Sequence, residues 1–330
     1  MNITDIPNNG LIFSWLMDPV DGGQEIRNLS DLVLEPEQEL WIHLNFANAQ
    51  VQNWLEKNEQ LPEDIIEIIR EDVSRARQKN FTQFESTQLI FFNDFVKVFK
   101  GEELDEMATL WIIAVNNVLV TFRLHPIQST DELRARLQKG QLQPSSIADI
   151  YTYLLDLREE VLHDHANQLL NKMDRLEEII IRGGTLPEHE TLGRIRIQCN
   201  RMRRYFSPEL SAIRHLSRVS PAWLGEENRV EVVELSEKLT VFVEELNHLY
   251  ERAKVLQDEQ TAHIAEFNAK NLHVLSVLTA IFLPMTLITG IMGMNMEDLP
   301  GLKGSFSEVT ILMLGAGLLM YLILRFRKII

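Results

Sequence analysis

The longest stretch without a charged side chain lies near the C-terminus, at 271–296. A spanning helix needs about 20 mostly apolar residues, so this run predicts a bilayer crossing. A second uncharged run, 309–324, follows a loop that contains Leu299-Pro300-Gly301. Together they predict a membrane hairpin over 271–330, with spans near 271–293 and 307–325. Upstream, from Glu226 to Pro284, there is no proline or glycine. There, apolar residues fall at Val232, Leu235, Leu239, Phe242, Leu246, Leu249, Ala253 and Leu256, a spacing of 3,4,3,4,3,4,3. That is a heptad seam, which buries a narrow stripe against other helices. Nothing in the residues ends this helix before the membrane. A single element over 227–292 would be about 100 Å long at roughly 1.5 Å per residue, and its base could pull on the span directly.

Earlier in the chain the periodicity changes. Before about residue 141, short aromatic and β-branched runs have the length of strands: Leu11 to Trp15, Leu40 to Leu44, Gln88 to Phe92, Thr109 to Ala114 and Val118 to Phe122. The last two flank Asn116-Asn117, a hairpin turn pair that tolerates positive φ. Pro62-Glu63-Asp64 opens a helix with proline and acids in its first turn. The expectation for 1–141 is an α/β domain, and for 142–270 a helical bundle and stalk. In the second region one helix runs from about Ser146 to Ile181 and stops at Gly183-Gly184. Another starts near Pro187 and is broken near Pro208, and a further break falls at Pro221 and Gly225.

Charge sets the topology. Arg325, Arg327 and Lys328 crowd the exit of the second run, whereas the connecting loop carries Glu297, Asp298 and Glu308 against Lys303. Positive charge stays cytoplasmic, and the start of the chain lacks a basic-then-apolar secretory pattern. Both termini are therefore expected on the cytoplasmic side of the plasma (inner) membrane. The formal charge of −16 argues against a nucleic-acid surface. Arg194, Arg196, Arg201, Arg203 and Arg204 are expected to pair between acid-rich helices. The lone Cys199 excludes an intrachain disulfide and reads as a small packing residue. No phosphate-cradling loop, nucleophile elbow or zinc-protease helix is present, so the chain is not expected to be an enzyme.

The first span carries a stripe of small and polar residues, Thr279, Thr286, Gly290 and Gly293, completed by Leu283, at spacings of 4, 3, 4 and 3. They share one helix face. Such a face serves helix packing or lines a pore. Between Val274 and Met294 there is no Asp, Glu, His or Cys, so a dehydrated zinc ion would find none of its usual side-chain ligands. A hydrated ion suits this face better. His163 and His165 are two apart and do not share a face; they read as solvated polar residues. His263 continues the heptad register, where a ring of copies could bind metal, or the residue could instead fix register.

Gly293-Met294-Asn295 after a span, preceded by Phe282-Leu283-Pro284-Met285-Thr286 and Thr289-Gly290, resembles the signature of CorA-type divalent-cation transporters. Trp41-Ile42-His43-Leu44, Leu61-Pro62-Glu63-Asp64, Met202 to Pro208 and Leu299-Pro300-Gly301 are similar to the ZntB zinc-transporter branch along essentially the whole chain. Leu299-Pro300-Gly301-Leu302 stands where magnesium channels of the family carry Met-Pro-Glu-Leu, while members of the zinc branch have glycines where this chain has Glu297-Asp298 and often lack the methionine that it carries at 294.

The resemblance implies a homopentamer in lipid, with five first spans around a pore below a cytoplasmic funnel. It places Leu275, Leu283, Thr286 and Asn295 on the conduction path, with Thr279 beside them. Asn295, in a Gly293-Met294-Asn295 filter, would offer a ring of amide oxygens to a cation's water shell. Leu275 and Leu283 would form apolar gates. Glu297 and Asp298 would concentrate cations at the mouth, or simply be a solvated loop. The implied cargo is a divalent cation, zinc first, with magnesium, cobalt, nickel or cadmium as alternatives and no resident cofactor. Proton coupling is a property implied by the zinc branch alone. A membrane-anchored coiled-coil scaffold would explain seam, stalk and hairpin, but not the tripeptide beside a polar stripe.

Overall fold

The computed structural model describes residues 5–20, 22–58, 61–71, 81–84, 87–96, 106–182, 190–293, 306–327 and 329. The chain divides into two compact units, Met1–Val255 and Leu256–Ile330.

In the first unit, seven strands form one sheet: β1 (Leu11–Asp18), β2 (Gly22–Ile26), β3 (Glu39–Asn45), β4 (Phe81–Phe84), β5 (Thr87–Phe95), β6 (Met107–Val115) and β7 (Val118–Arg123), in the order β2-β1-β3-β7-β6-β5-β4. Among the described strands only the β3–β7 pairing, with Leu40 opposite Val118, is parallel. The expected β6–β7 hairpin is present. Asn116 takes φ 50°, and the Asn117 side-chain amide donates to the carbonyl of Gln38 at 2.7 Å, which fastens the turn to β3. β2 and β4 carry no hydrophobic run. They are the two edges of the described sheet.

Alternate residues of the inner strands serve two faces. Ile42, Leu44, Phe91, Trp111, Val120 and Phe122 pack with Trp54, Leu55 and Ile65 of α1 (Ala49–Lys57) and α2 (Glu63–Glu71). The other face carries α3 (Gln128–Gln138), α4 (Ile147–Ile181) and α5 (Glu190–Val219), with α4 on β3 and α5 on β5. Burial on both faces is why these strands read as continuous apolar runs. His43 sits on this second face, fully buried, with Nδ1 2.8 Å from the Thr121 hydroxyl. Burial, reinforced by Arg123 and Arg134, holds its ring well below the ordinary histidine pKa, so the ring is neutral and structural.

A buried ion pair ties the two helices to the sheet. Glu209 of α5 pairs with Arg158 of α4 and accepts from the Asn93 backbone at 2.9 Å and from its side-chain amide at 2.7 Å. This explains why α5 is not broken at Pro208 as the residues suggest. Proline removes one backbone hydrogen bond, but Phe206, stacked edge-on against Phe242, and the paired Glu209 anchor the helix on both sides. His165 is also not solvated: it is buried with its ring 4.8 Å from that of Phe95. His163 is exposed and bonded to Asn167.

α6 (Glu226–Gly293) is one 68-residue helix. Ser220 at φ 46° and Gly225 at φ 65° turn the chain into it. Every expected seam position, from Val232 to Leu256, is buried. The seam is satisfied within the chain: α5 meets α6 through Phe206–Phe242, Arg214–Thr240 and Arg203–Asn247, and α4 through Arg252 with Asp174 and Glu177. Among the arginine cluster, Arg196 and Arg203 stack on Tyr250 of α6. Cys199 is buried, and burial raises its thiol to about 11, as befits a packing residue.

Candidate functional site

The second unit contains the membrane-length part of α6 and α7 (Phe306–Phe326). Both helices are long and apolar enough to cross a bilayer. Their mutual packing fixes which way each face of α6 looks. Val277, Ala280, Ile281, Pro284, Met285, Ile288 and Met292 are half-buried, at steps of 3, 1, 3, 1, 3 and 4 that trace one helix stripe. On α7 the covered positions include Met313, Ala316, Gly317, Met320 and Leu324. Gly317 receives the Met285 side chain; a Cβ there would lie 1.8 Å from the Met285 methyl. His273 Nε2 lies 2.7 Å from the carbonyl of Ile329, which ties the start of the first span to the end of the chain.

The expected pore face is the opposite one. At 100° per residue, Leu275, Thr279, Leu283, Thr286 and Gly290 centre about 180° away from the covered stripe, and all five are exposed. Leu275 is 60% and Leu283 65% exposed. The helix continues unbroken through Pro284 to Gly293. Met294, Asn295, Glu297 and Asp298 lie outside the described residues.

The threonines have a specific chemistry. Thr279 donates its hydroxyl to the Leu275 carbonyl at 2.8 Å and Thr286 to the Phe282 carbonyl at 2.9 Å. With the proton held by the helix's own backbone, each oxygen presents only lone pairs outward. Such oxygens can accept from water bound to a cation, but replace none of the strong ligands zinc takes when dehydrated. His263 has Glu259 at 3.9 Å. Among the described residues no group of three potential metal ligands converges within one chain.

Residue patterns had placed the polar stripe but not its opposite. Gly315 and Gly317 on α7 were the available signal, since small residues mark close helix approach in membranes; the Met285 partner and the His273–Ile329 contact could not be read from spacing.

Two membrane-length helices, the first with one charge-free, acceptor-lined face left uncovered within the chain, fit the class of membrane transport proteins. The chain belongs to the family described as CorA-like Mg2+ transporter protein, whose profile matches residues 36–328. The divalent cation transporter CmaX of Pseudomonas aeruginosa is 27% identical over 295 residues, 88% of each chain. The zinc transport protein ZntB of Yersinia enterocolitica is 26% identical over 311 residues, 92% of this chain and 90% of its own. The solved structure of full-length CmaX superposes with a TM-score of 0.80 at 25% identity, covering 97% of this chain and 98% of that one. The α/β sheet, long helix and C-terminal helix expected from the residues are thus the fold of this family.

Proposed function

We propose that this CorA-family divalent-cation transporter moves a hydrated cation along the uncovered face of α6, with zinc as its first cargo. The observation that carries the proposal is that α7 covers the stripe centred on Met285 and leaves Leu275, Thr279, Leu283 and Thr286 free. One helix face cannot enclose a pore, so several copies must contribute. Five is the number the family resemblance supports, and native mass spectrometry of the detergent-solubilised protein is expected to give a pentamer; a monomer or dimer at micromolar concentration would contradict it. The buried seam of α6 is no argument for assembly, since it is filled within the chain.

In this proposal Gly293-Met294-Asn295 forms the filter, Asn295 supplying neutral oxygens that hold a water shell loosely enough to release it. Glu297 and Asp298 draw cations to the outer mouth. Arg325, Arg327 and Lys328 keep the C-terminus, and with it the N-terminal unit, on the cytoplasmic side of the inner membrane. Zinc is supported by the similarity to ZntB. Magnesium or cobalt is the second reading, favoured by the ligand-free face between Val274 and Gly293, which suits a cation that keeps its waters. Proton coupling would accompany the zinc reading.

The experiment is cation flux into liposomes holding the purified protein, zinc against magnesium under otherwise equal conditions. Asn295→Ala is expected to lower flux at least tenfold with assembly unchanged. Normal flux in that variant would refute the filter, and flux of neither metal would refute the cargo.

A further inference from the structure

A cavity of 180 Å³ opens between α4 and α6 in the first unit, far along the sequence from either span. Leu155 and Leu162 of α4 line it together with Leu235, Leu239 and Phe242 of α6, and all five are buried. An apolar void of about 150 Å³ accepts a molecule the size of benzene. A ring-sized body therefore fits here.

The charged groups around this apolar wall do not balance. Arg158 lines the cavity, but its charge is already met: it pairs with Glu209, lies 4.4 Å from the Phe92 ring centre and is 2% exposed. Lys238, the other cation of the lining, has Glu234 at 3.9 Å. That leaves two acids. Glu159 stands one turn after Leu155 and Glu245 one turn after Phe242, so both share the cavity side of their helices, and both are half-buried. Among the described residues neither carboxylate has a cationic partner. A carboxylate that loses part of its water and gains no partner is destabilised, so a cation placed at this mouth restores what burial removes.

The same lining selects an organic cation over a metal ion. Two carboxylates fall short of the ligand set a hard cation takes, and among the described residues no group of three potential ligands converges. His163, the remaining polar group of the lining, is bonded to Asn167. A metal ion would also gain nothing from the leucines.

We propose that this cavity binds a small organic cation, its apolar, ring-sized body seated between α4 and α6 and its protonated amine held at the mouth by Glu159 and Glu245. A ligand there bridges α4 and α6, the helix that continues into the membrane.

The test uses the full-length protein in an uncharged detergent at pH 8, above the ordinary histidine range, with fluorine NMR of three probes. 4-Fluorobenzylamine carries the ring and a protonated amine, 4-fluorobenzyl alcohol replaces the charge by a hydroxyl, and 4-fluorobenzoate reverses it. The amine is expected to bind saturably and to be displaced by unlabelled benzylamine. It should bind about fivefold more tightly than the alcohol, because a charge-assisted hydrogen bond is roughly twice as strong as a neutral one, and benzoate should bind most weakly. Glu159→Gln combined with Glu245→Gln should bring amine and alcohol to equal affinity while the alcohol still binds, which collapse of the cavity would not give. Full preference for the amine in that variant would place the cation elsewhere and overturn the proposal. Equal affinities of amine and alcohol in the unaltered protein, or tighter binding of benzoate, overturn the ligand class. Non-displaceable uptake of all three probes means partition into detergent only and overturns the site. If the double variant fails to fold, the single substitutions decide: each should remove part of the preference, and an unchanged preference in both overturns the proposal.

Discussion

At the residue scale, Asp149 joins two helices. One carboxylate oxygen accepts from the backbone N–H and hydroxyl of Ser145 at 2.7 and 2.8 Å and from the Ser146 N–H at 3.1 Å; the other accepts from the Asn228 side chain at 3.0 Å. Ser146 completes a capping box by accepting from the Asp149 N–H, so one group closes the start of α4 and pins the first turn of α6. Burial pushes this carboxyl up, but the donors of Ser145, Asn228 and Ser146 outweigh burial and hold it below the ordinary carboxylate value. With the folded pKa depressed, the stabilisation is complete above the unfolded value of about 3.9 and is lost as pH falls through the folded one. Asp149→Asn is therefore expected to cost about 1–2 kcal/mol at neutral pH. The difference from wild type should shrink below about pH 4, as measured by chemical denaturation between pH 7 and pH 2.5. A constant difference across that range would mean that neutral hydrogen bonds, not the charge, fasten the joint.

At the scale of elements, α6 shows why a heptad spacing is not a statement about partners. The pattern requires that a stripe be buried and is indifferent to whether the covering helix comes from the same chain. Here α4 and α5 cover it. Leu246 is 0% exposed, while Val255 on the outer side is 62% exposed. Leu246→Ala should destabilise the first unit by about 2–5 kcal/mol and leave the assembly state alone if the unit still folds. Val255→Ala should change stability by under about 0.5 kcal/mol. Thermal unfolding beside native mass spectrometry reads both, and a change of assembly on Leu246→Ala without loss of stability would show that the seam faces another copy. Pro208 makes the same point in reverse: its local preference to end a helix is overridden by the anchors at Phe206 and Glu209, whose partners Phe242 and Arg158 lie far away in sequence.

At the scale of the whole molecule, the transport reading turns on which face of the first span is free. If Leu283 closes an apolar constriction, Leu283→Ser gives water a partner in the narrowest section and raises basal cation leak severalfold. Because Leu283 points away from the stripe that meets α7, the hairpin should keep its stability. Loss of oligomer stability by roughly 1–3 kcal/mol without leak would place Leu283 against a neighbouring helix instead. Leak in liposomes and thermal stability, measured on the same variant, separate the two.

Much of this protein was legible from its residues, because the information was periodic or local. The two spans follow from long uncharged runs, the inner strands from apolar runs buried on both faces, the hairpin turn from Asn116, the start of α4 from Ser146, and the membership of the family from the motifs around Gly293. What only the tertiary structure decided depends on contacts between segments distant in sequence. The edge strands β2 and β4 carry no apolar run that would mark them as strands. His165 became a core residue because Phe95 lies against it. Arg196 and Arg203 of α5 found Tyr250, the seam found its own chain, and Met285 filled the space left by Gly317, which turned the face of Leu283 and Thr286 outward. A sequence pattern states that a surface must be covered or a charge met; which group does so is set by chain closure and packing, and these have no local signature.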